Sequence, residues 1–201
     1  AQSGARVQVI DEIPVNRHFT TPKGEQVLDF GQNMAGRIRV TATGKPGDVI
    51  WLKCFEVLDS EGNVYLDNLR AARAEMKYTF AKEGTITWYP RFTYMGFQYA
   101  QILSCPGEVK AENFTACTLH SEMETTGNIT CSNSLLNQLH HNYLWGLYGN
   151  FLDGPSDCPQ RDERLGWTGD AQIFCRTACY LMNTYTFYRK WLHDVEVDQT
   201  P

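Results

Sequence analysis

The chain has 201 residues, room for one large domain or two modest ones. With 42% hydrophobic and 20% charged residues it can build an ordinary globular core, which argues against intrinsic disorder. A net charge of −5 without any Lys/Arg cluster argues against a surface that tracks phosphates, and no apolar run is long enough for a bilayer-spanning helix, so neither a nucleic-acid nor a membrane partner is expected. A weakly acidic chain with 5 Trp and 10 Tyr suits a neutral ligand such as a sugar.

The opening AQSGARVQVIDEIPVN lacks the basic start and apolar core of a signal peptide and reads as mid-chain sequence. It carries no information on export. From there to about residue 120 the pattern is strands and turns: 27–30, 37–43, 48–57, 75–80, 85–88 and 97–103 alternate or run apolar over strand lengths. Gly/Pro punctuation lies between them, at 43–48, 59–63 and 82–84, and the Gly31–Gly36 stretch reads as a β-turn with two glycines. A last strand is expected around 113–120. Many short strands with frequent turns predict an all-β sandwich or jelly roll over residues 1–120.

After Cys131 the texture changes, and residues 121–201 read as helical. Ser132 or Asn133 can cap a helix in which Leu136, Leu139, Tyr143 and Leu147 recur at helical spacing. Two more helices are predicted, from Asp170 to Met182 and from Thr184 to about Val197. Three such helices do not close a bundle, so the sequence predicts the start of a larger helical domain. The seven cysteines include no CxxC pair. They are expected to be free and buried, with Cys175 and Cys179 stacked on one helix face as small core residues. Core roles are likewise expected for Trp145, Tyr185, Phe187 and Trp191, whereas adjacent His140 and His141 point to different faces and make a poor metal pair.

Between the first helix and the next lies an irregular stretch, 149–169, of the kind that carries function when held between helices. Its densest part is Asp157–Asp170, where four carboxylates, two arginines and a tryptophan fall within fourteen positions. A glycosidase needs a carboxylic acid to protonate the departing oxygen and a second carboxylate to activate water or attack. It also needs hydrogen-bonding groups around the sugar hydroxyls and a flat ring for the sugar's apolar face. The run supplies these residue types except an assured second catalytic carboxylate. A solvated charged turn has the same composition. No metal site is expected, because the acidic spacing does not match a calcium loop and no HExxH or Cys/His set is present. No cofactor is expected either.

The string DCPQRDERLGWTGDAQ closely resembles the signature of bacterial alpha-L-rhamnosidases of glycoside hydrolase family 78. Upstream, LDFGQNMAGRIRV, the run Asp67–Arg73, and the run Trp88–Phe97 resemble that family's neighbouring β-domain, and the likeness extends over roughly residues 20–199. The resemblance implies a β-sandwich followed by the first helices of an (α/α)6 barrel, hence an internal piece of a longer enzyme. It implies hydrolysis of terminal alpha-L-rhamnosides with inversion at the anomeric carbon. Carried over by position, Glu163 matches the general acid, and Asp157, Arg161, Trp167 and Asp170 match residues that hold rhamnose. Asp162, beside the acid, could help tune it. The family's general base lies later in the barrel, beyond Pro201, so this chain alone is expected to be inactive. The alternatives are a non-catalytic carbohydrate-binding β-sandwich with appended helices, or an (α/α)6 glycosidase of different sugar specificity. A general acid must hold a proton near working pH, which calls for burial or nearby negative charge. Asp157, Asp162 and Asp170 could supply that charge, and Arg161 and Arg164 would oppose it. The oligomeric state has no signature in the sequence.

Overall fold

The computed structural model describes residues 4–199. Its first part contains the strands β1 (Val7–Pro14), β2 (Arg17–Thr20), β3 (Gln26–Gly44), β4 (Val49–Phe55), β5 (Glu75–Thr79), β6 (Gly84–Trp88), β7 (Met95–Ser104) and β8 (Phe114–Ser121). They form one eight-stranded sheet in the order β1-β8-β3-β7-β4-β5, with β2 and β6 also pairing with β3. The pairs among β2 to β8 are antiparallel, and the sheet has the curled, sandwich-like β architecture that the short strands and turns imply.

Strand β3 holds the sheet together. Over nineteen residues it changes partners, with Val40 opposite both Trp88 of β6 and Phe114 of β8. The turn expected at Gly31–Gly36 is a bulge inside this strand, where the register against β7 shifts between Asp29 and Met34. Gly31 takes the left-handed φ of 75°, and its N–H donates to Asp29 Oδ1 at 2.8 Å. The chain does not reverse there because Met34 and Ala35 are buried and resume pairing with Phe97 and Gly96. Downstream the two-residue period is clear: Ile38, Val40 and Ala42 are buried, and Arg37, Arg39 and Thr41 face away from the core. Leu28, Ile50, Leu52, Phe55, Phe97 and Ala100 form the solvent-free centre. The buried Asp29 carboxylate also accepts from Gln98 Nε2 at 3.1 Å, as a polar group in such a place must.

The helical part comprises α1 (Ser134–Asn150), a two-stranded ladder of β9 (Phe151–Leu152) and β10 (Gly154–Pro155), α2 (Thr168–Leu181) and α3 (Tyr185–Asp198). Asn133 caps α1, its side chain accepting from the N–H groups of Leu135 and Leu136. Leu147, Phe151, Ala178, Leu181, Met182 and Phe187 make the core, with Phe151 stacked on Phe187 at 4.5 Å. Several sequence expectations fail here. Cys179 and Tyr185 are exposed and Cys175 is only half-buried, because the inward face of α2 and α3 is taken by Ala178, Leu181 and Phe187. All seven cysteines are free, but Cys131, too, is exposed. Leu136 and Leu139 carry the helical period that marks α1, yet they are exposed, and only the C-terminal half of the helix buries its leucine. No helix among the described residues is long and apolar enough to cross a membrane.

By packing, the chain divides into two compact units. One is built from Asp11–Thr118 together with Pro159–Asp162; the other contains Leu119–Cys158 and the helices from Glu163 onward. A piece of the irregular stretch thus belongs to the sheet unit.

One buried group in the helical unit makes stability pH-dependent. His120 stacks on Tyr148 at 4.5 Å, and its Nδ1 lies 2.8 Å from the Ser121 carbonyl oxygen. Its Nε2 is buried without a hydrogen-bond partner. Burial holds the imidazole below its usual value of 6.5, only partly offset by the Ser121 carbonyl. The unfolded chain therefore binds the proton first, so stability is present above about pH 6.5 and is lost as pH falls below it towards the folded-state value. Urea midpoints at pH 7.5 and 5.5 should show a larger acid loss for the wild type than for His120→Gln. An equal acid loss in both would rule His120 out as the cause.

Candidate active site

The loop carrying the charged run is closed at its neck by two hydrogen bonds between the same residues. Asp157 N donates to the Leu165 carbonyl at 3.1 Å, and Leu165 N donates to Asp157 Oδ1 at 2.9 Å. Arg164, just inside the neck, takes a left-handed φ of 50°, a conformation that non-glycine residues adopt at a cost and that a closed loop can impose. Below the neck, Asp153 turns the chain between β9 and β10 with φ 68°. Lys190 of α3 reaches Asp153 Oδ2 at 2.9 Å and Asp194 Oδ2 at 2.7 Å, tying the base of the loop to α3. Asp153 therefore serves the turn.

The closed neck brings together residues that are six apart in sequence. One carboxylate oxygen each from Asp157 and Glu163, and the Cys158 sulfur, all lie within 4.8 Å of one another. Cys158 is buried, and the two carboxylates are half-buried. Trp167 stands at the N-cap position of α2 and donates its indole N–H to Glu163 Oε1 at 2.9 Å. Trp167 as a whole is 49% exposed, so it is no core residue. Three such ligand atoms can converge on a cation, a grouping that the acidic spacing in the sequence did not reveal. One Asp157 oxygen also accepts from Leu165 N and one Glu163 oxygen from Trp167.

The remaining candidates lie on different supports. Asp170 is exposed on the first turn of α2, where a carboxylate is favoured by the helix dipole. Arg161, half-buried, and Asp162, exposed, fall in the Pro159–Asp162 segment that packs with the sheet unit. Sequence reasoning missed two features. The Trp167–Glu163 hydrogen bond has a faint signal, since the two are four apart, but only the loop geometry aims the indole N–H. Cys158 gave no signal beyond its place beside Asp157.

Comparison with known proteins gives consistent matches over both parts. Residues 19–120 match the bacterial alpha-L-rhamnosidase concanavalin-like domain, and residues 124–201 match the bacterial alpha-L-rhamnosidase six-hairpin glycosidase domain. Over all 201 residues the chain is 42% identical to an alpha-L-rhamnosidase of Streptomyces avermitilis, covering 19% of that protein. The structure is similar to the crystal structure of a Streptomyces avermitilis alpha-L-rhamnosidase complexed with L-rhamnose, with a TM-score of 0.93 and 40% identity over 100% of this chain and 19% of that one. It is also similar to the native alpha-L-rhamnosidase of Aspergillus terreus, with a TM-score of 0.91 and 43% identity over 96% of this chain and 22% of that one. The chain spans about a fifth of the length of the curated relatives it matches.

Proposed function

The chain belongs to the bacterial alpha-L-rhamnosidase family, and from that premise we propose that the full-length polypeptide carrying it hydrolyses terminal non-reducing alpha-L-rhamnose residues, with Glu163 as the proton donor. The observation that carries the reading is the loop geometry: the half-buried Glu163 carboxylate is held beside Asp157 by the indole of the exposed Trp167. Asp157, Arg161, Trp167 and Asp170 bind the rhamnose, and Asp162 adjusts the charge around the acid. Residues 1–120 form the β-domain and residues 121–201 begin the catalytic helical barrel. The exposed leucines of α1 support further helices packing there.

Inversion needs a second carboxylate roughly 6.5–9.5 Å from the acid, with a water between them. Asp157 approaches Glu163 to within 4.8 Å, too close for that task. We therefore assign Asp157 to the sugar, and the family resemblance supports seeking the base in the rest of the full-length polypeptide. In this role Glu163 gives its proton to the glycosidic oxygen as the bond to the anomeric carbon breaks. The bound sugar's apolar C6 methyl side lies on the Trp167 ring.

The test is a paired assay of the full-length polypeptide on nitrophenyl alpha-L-rhamnoside and nitrophenyl glucoside, with the first-formed sugar followed by proton NMR. Turnover of the rhamnoside alone, with the β-anomer appearing first, is expected. Equal or preferred turnover of the glucoside would point to a different sugar specificity, and first appearance of the α-anomer would rule out inversion.

A further inference from the structure

We propose that Gly96 of β7 is a positioning residue for the loop that delivers Glu163, acting through direct contact with Pro159 and Gln160. The inference rests on the assignment of Glu163 as proton donor. A Cβ at position 96 would lie 2.8 Å from Gln160 Cβ, 2.9 Å from Gln160 N and 2.9 Å from Pro159 Cγ. All three are shorter than real Cβ contacts, and two of the atoms, a backbone nitrogen and a proline ring carbon, cannot swing aside. Only a residue without a side chain lets the segment lie this close to the strand.

The strand is the member that cannot yield. Gly96 pairs with Ala35 of β3, and its neighbour Phe97 is fully buried. The next residue of β3, Gly36, is itself wedged against β8, since a Cβ there would meet the Cys117 carbonyl oxygen. Any side chain at 96 must therefore displace Pro159–Gln160. That segment cannot absorb the shift by itself: it follows the buried Cys158 and ends three residues before Glu163. A displacement on the order of 1 Å at a catalytic group can cost about 10²-fold in rate. The motif around Gly96 thus gains a physical role in seating Pro159 and Gln160.

The experiment uses the full-length polypeptide with Gly96→Ala, Gln160→Gly, the double variant and Glu163→Gln, each assayed on a methyl rhamnoside and a dinitrophenyl rhamnoside. If Gly96 acts through the acid, Gly96→Ala should lower kcat on the methyl substrate by roughly 10–100-fold and on the dinitrophenyl substrate by less than about 3-fold, with KM little changed. Gln160→Gly removes the closest of the three contacts, so the double variant should recover part of the loss, a non-additivity expected only of residues in contact. If Gly96→Ala fails to fold, Gln160→Gly carries the test alone. It frees the segment without touching the sheet and should show a smaller loss with the same dependence on leaving group. Equal losses on both substrates, or strictly multiplicative losses in the double variant, would overturn the proposal. Should Glu163→Gln show the leaving-group dependence while the Gly96 and Gln160 variants do not, this inference fails and the assignment of the acid stands. No such dependence in Glu163→Gln removes both.

Discussion

Replacing Glu163 by Gln in the full-length polypeptide is expected to lower kcat on alkyl or sugar rhamnosides by about 10²–10⁴, the usual worth of general acid catalysis. Glutamine keeps the shape of the side chain and can still accept from the Trp167 indole, which in the native loop donates at 2.9 Å. What it lacks is a transferable proton. An alkyl aglycone leaves as a strongly basic alkoxide unless protonated, whereas dinitrophenolate leaves readily without help. The loss on dinitrophenyl rhamnoside should therefore be much smaller. Affinity for L-rhamnose, measured by calorimetry, should change little, because binding is assigned to Asp157, Arg161, Trp167 and Asp170. Equal loss on both substrates with rhamnose binding intact would sink the assignment, and Asp162 would become the next candidate.

The second large effect lies in the sheet. Phe97 is fully buried, pairs in register with Met34, and meets Phe30 edge-to-face at 5.7 Å. Truncating it to Ala removes a ring from the centre of a sheet that cannot collapse around the space, and should destabilise the chain by about 3–5 kcal/mol. Phe92, five residues earlier in the same motif, is fully exposed. The identical chemical change there should stay within about 0.5 kcal/mol. Urea unfolding of the 201-residue chain, followed by the β-sheet circular dichroism signal, measures both. The Phe97→Ala midpoint should fall with the slope unchanged. A similar cost at the two positions would mean that burial is not what holds β7.

Much of this molecule is legible from residue order because its strongest signals are local. Alternation in Ile38, Val40 and Ala42 marks an inward face whatever the rest of the chain does, and Asn133 caps α1 through its own neighbours. Local signals also mislead. Two glycines at 31 and 36 look like a turn, but pairing of Met34 and Ala35 with β7 keeps the chain in one strand. Strands β1 and β2 had no clear local pattern: β1 is mostly exposed and β2 is four residues long, so cross-strand pairing is what defines them. Cys175, Cys179 and Tyr185 had the residue type of a core but stand on faces that the neighbouring helices leave open.

The charged run shows the same division at the level of chemistry. Its carboxylates, arginines and tryptophan are residue types that glycosidic bond cleavage uses, but a solvated charged turn shares them, and the reaction class came from the resemblance of the run to a family signature. Their spacing in sequence could not say which carboxylates share a site. The Asp157–Leu165 closure brings Asp157 beside Glu163, and the turn into α2 aims the Trp167 indole at the Glu163 carboxylate. The contact of Gly96 with Pro159 and Gln160 joins residues more than sixty positions apart. Sequence by itself determined the β-then-α order and the chemical inventory, since periodicity and functional groups are properties of single residues and their near neighbours. Only the tertiary structure decided which of those groups meet, because close approach depends on long-range packing, and a missing Cβ has meaning only when another part of the chain fills its place.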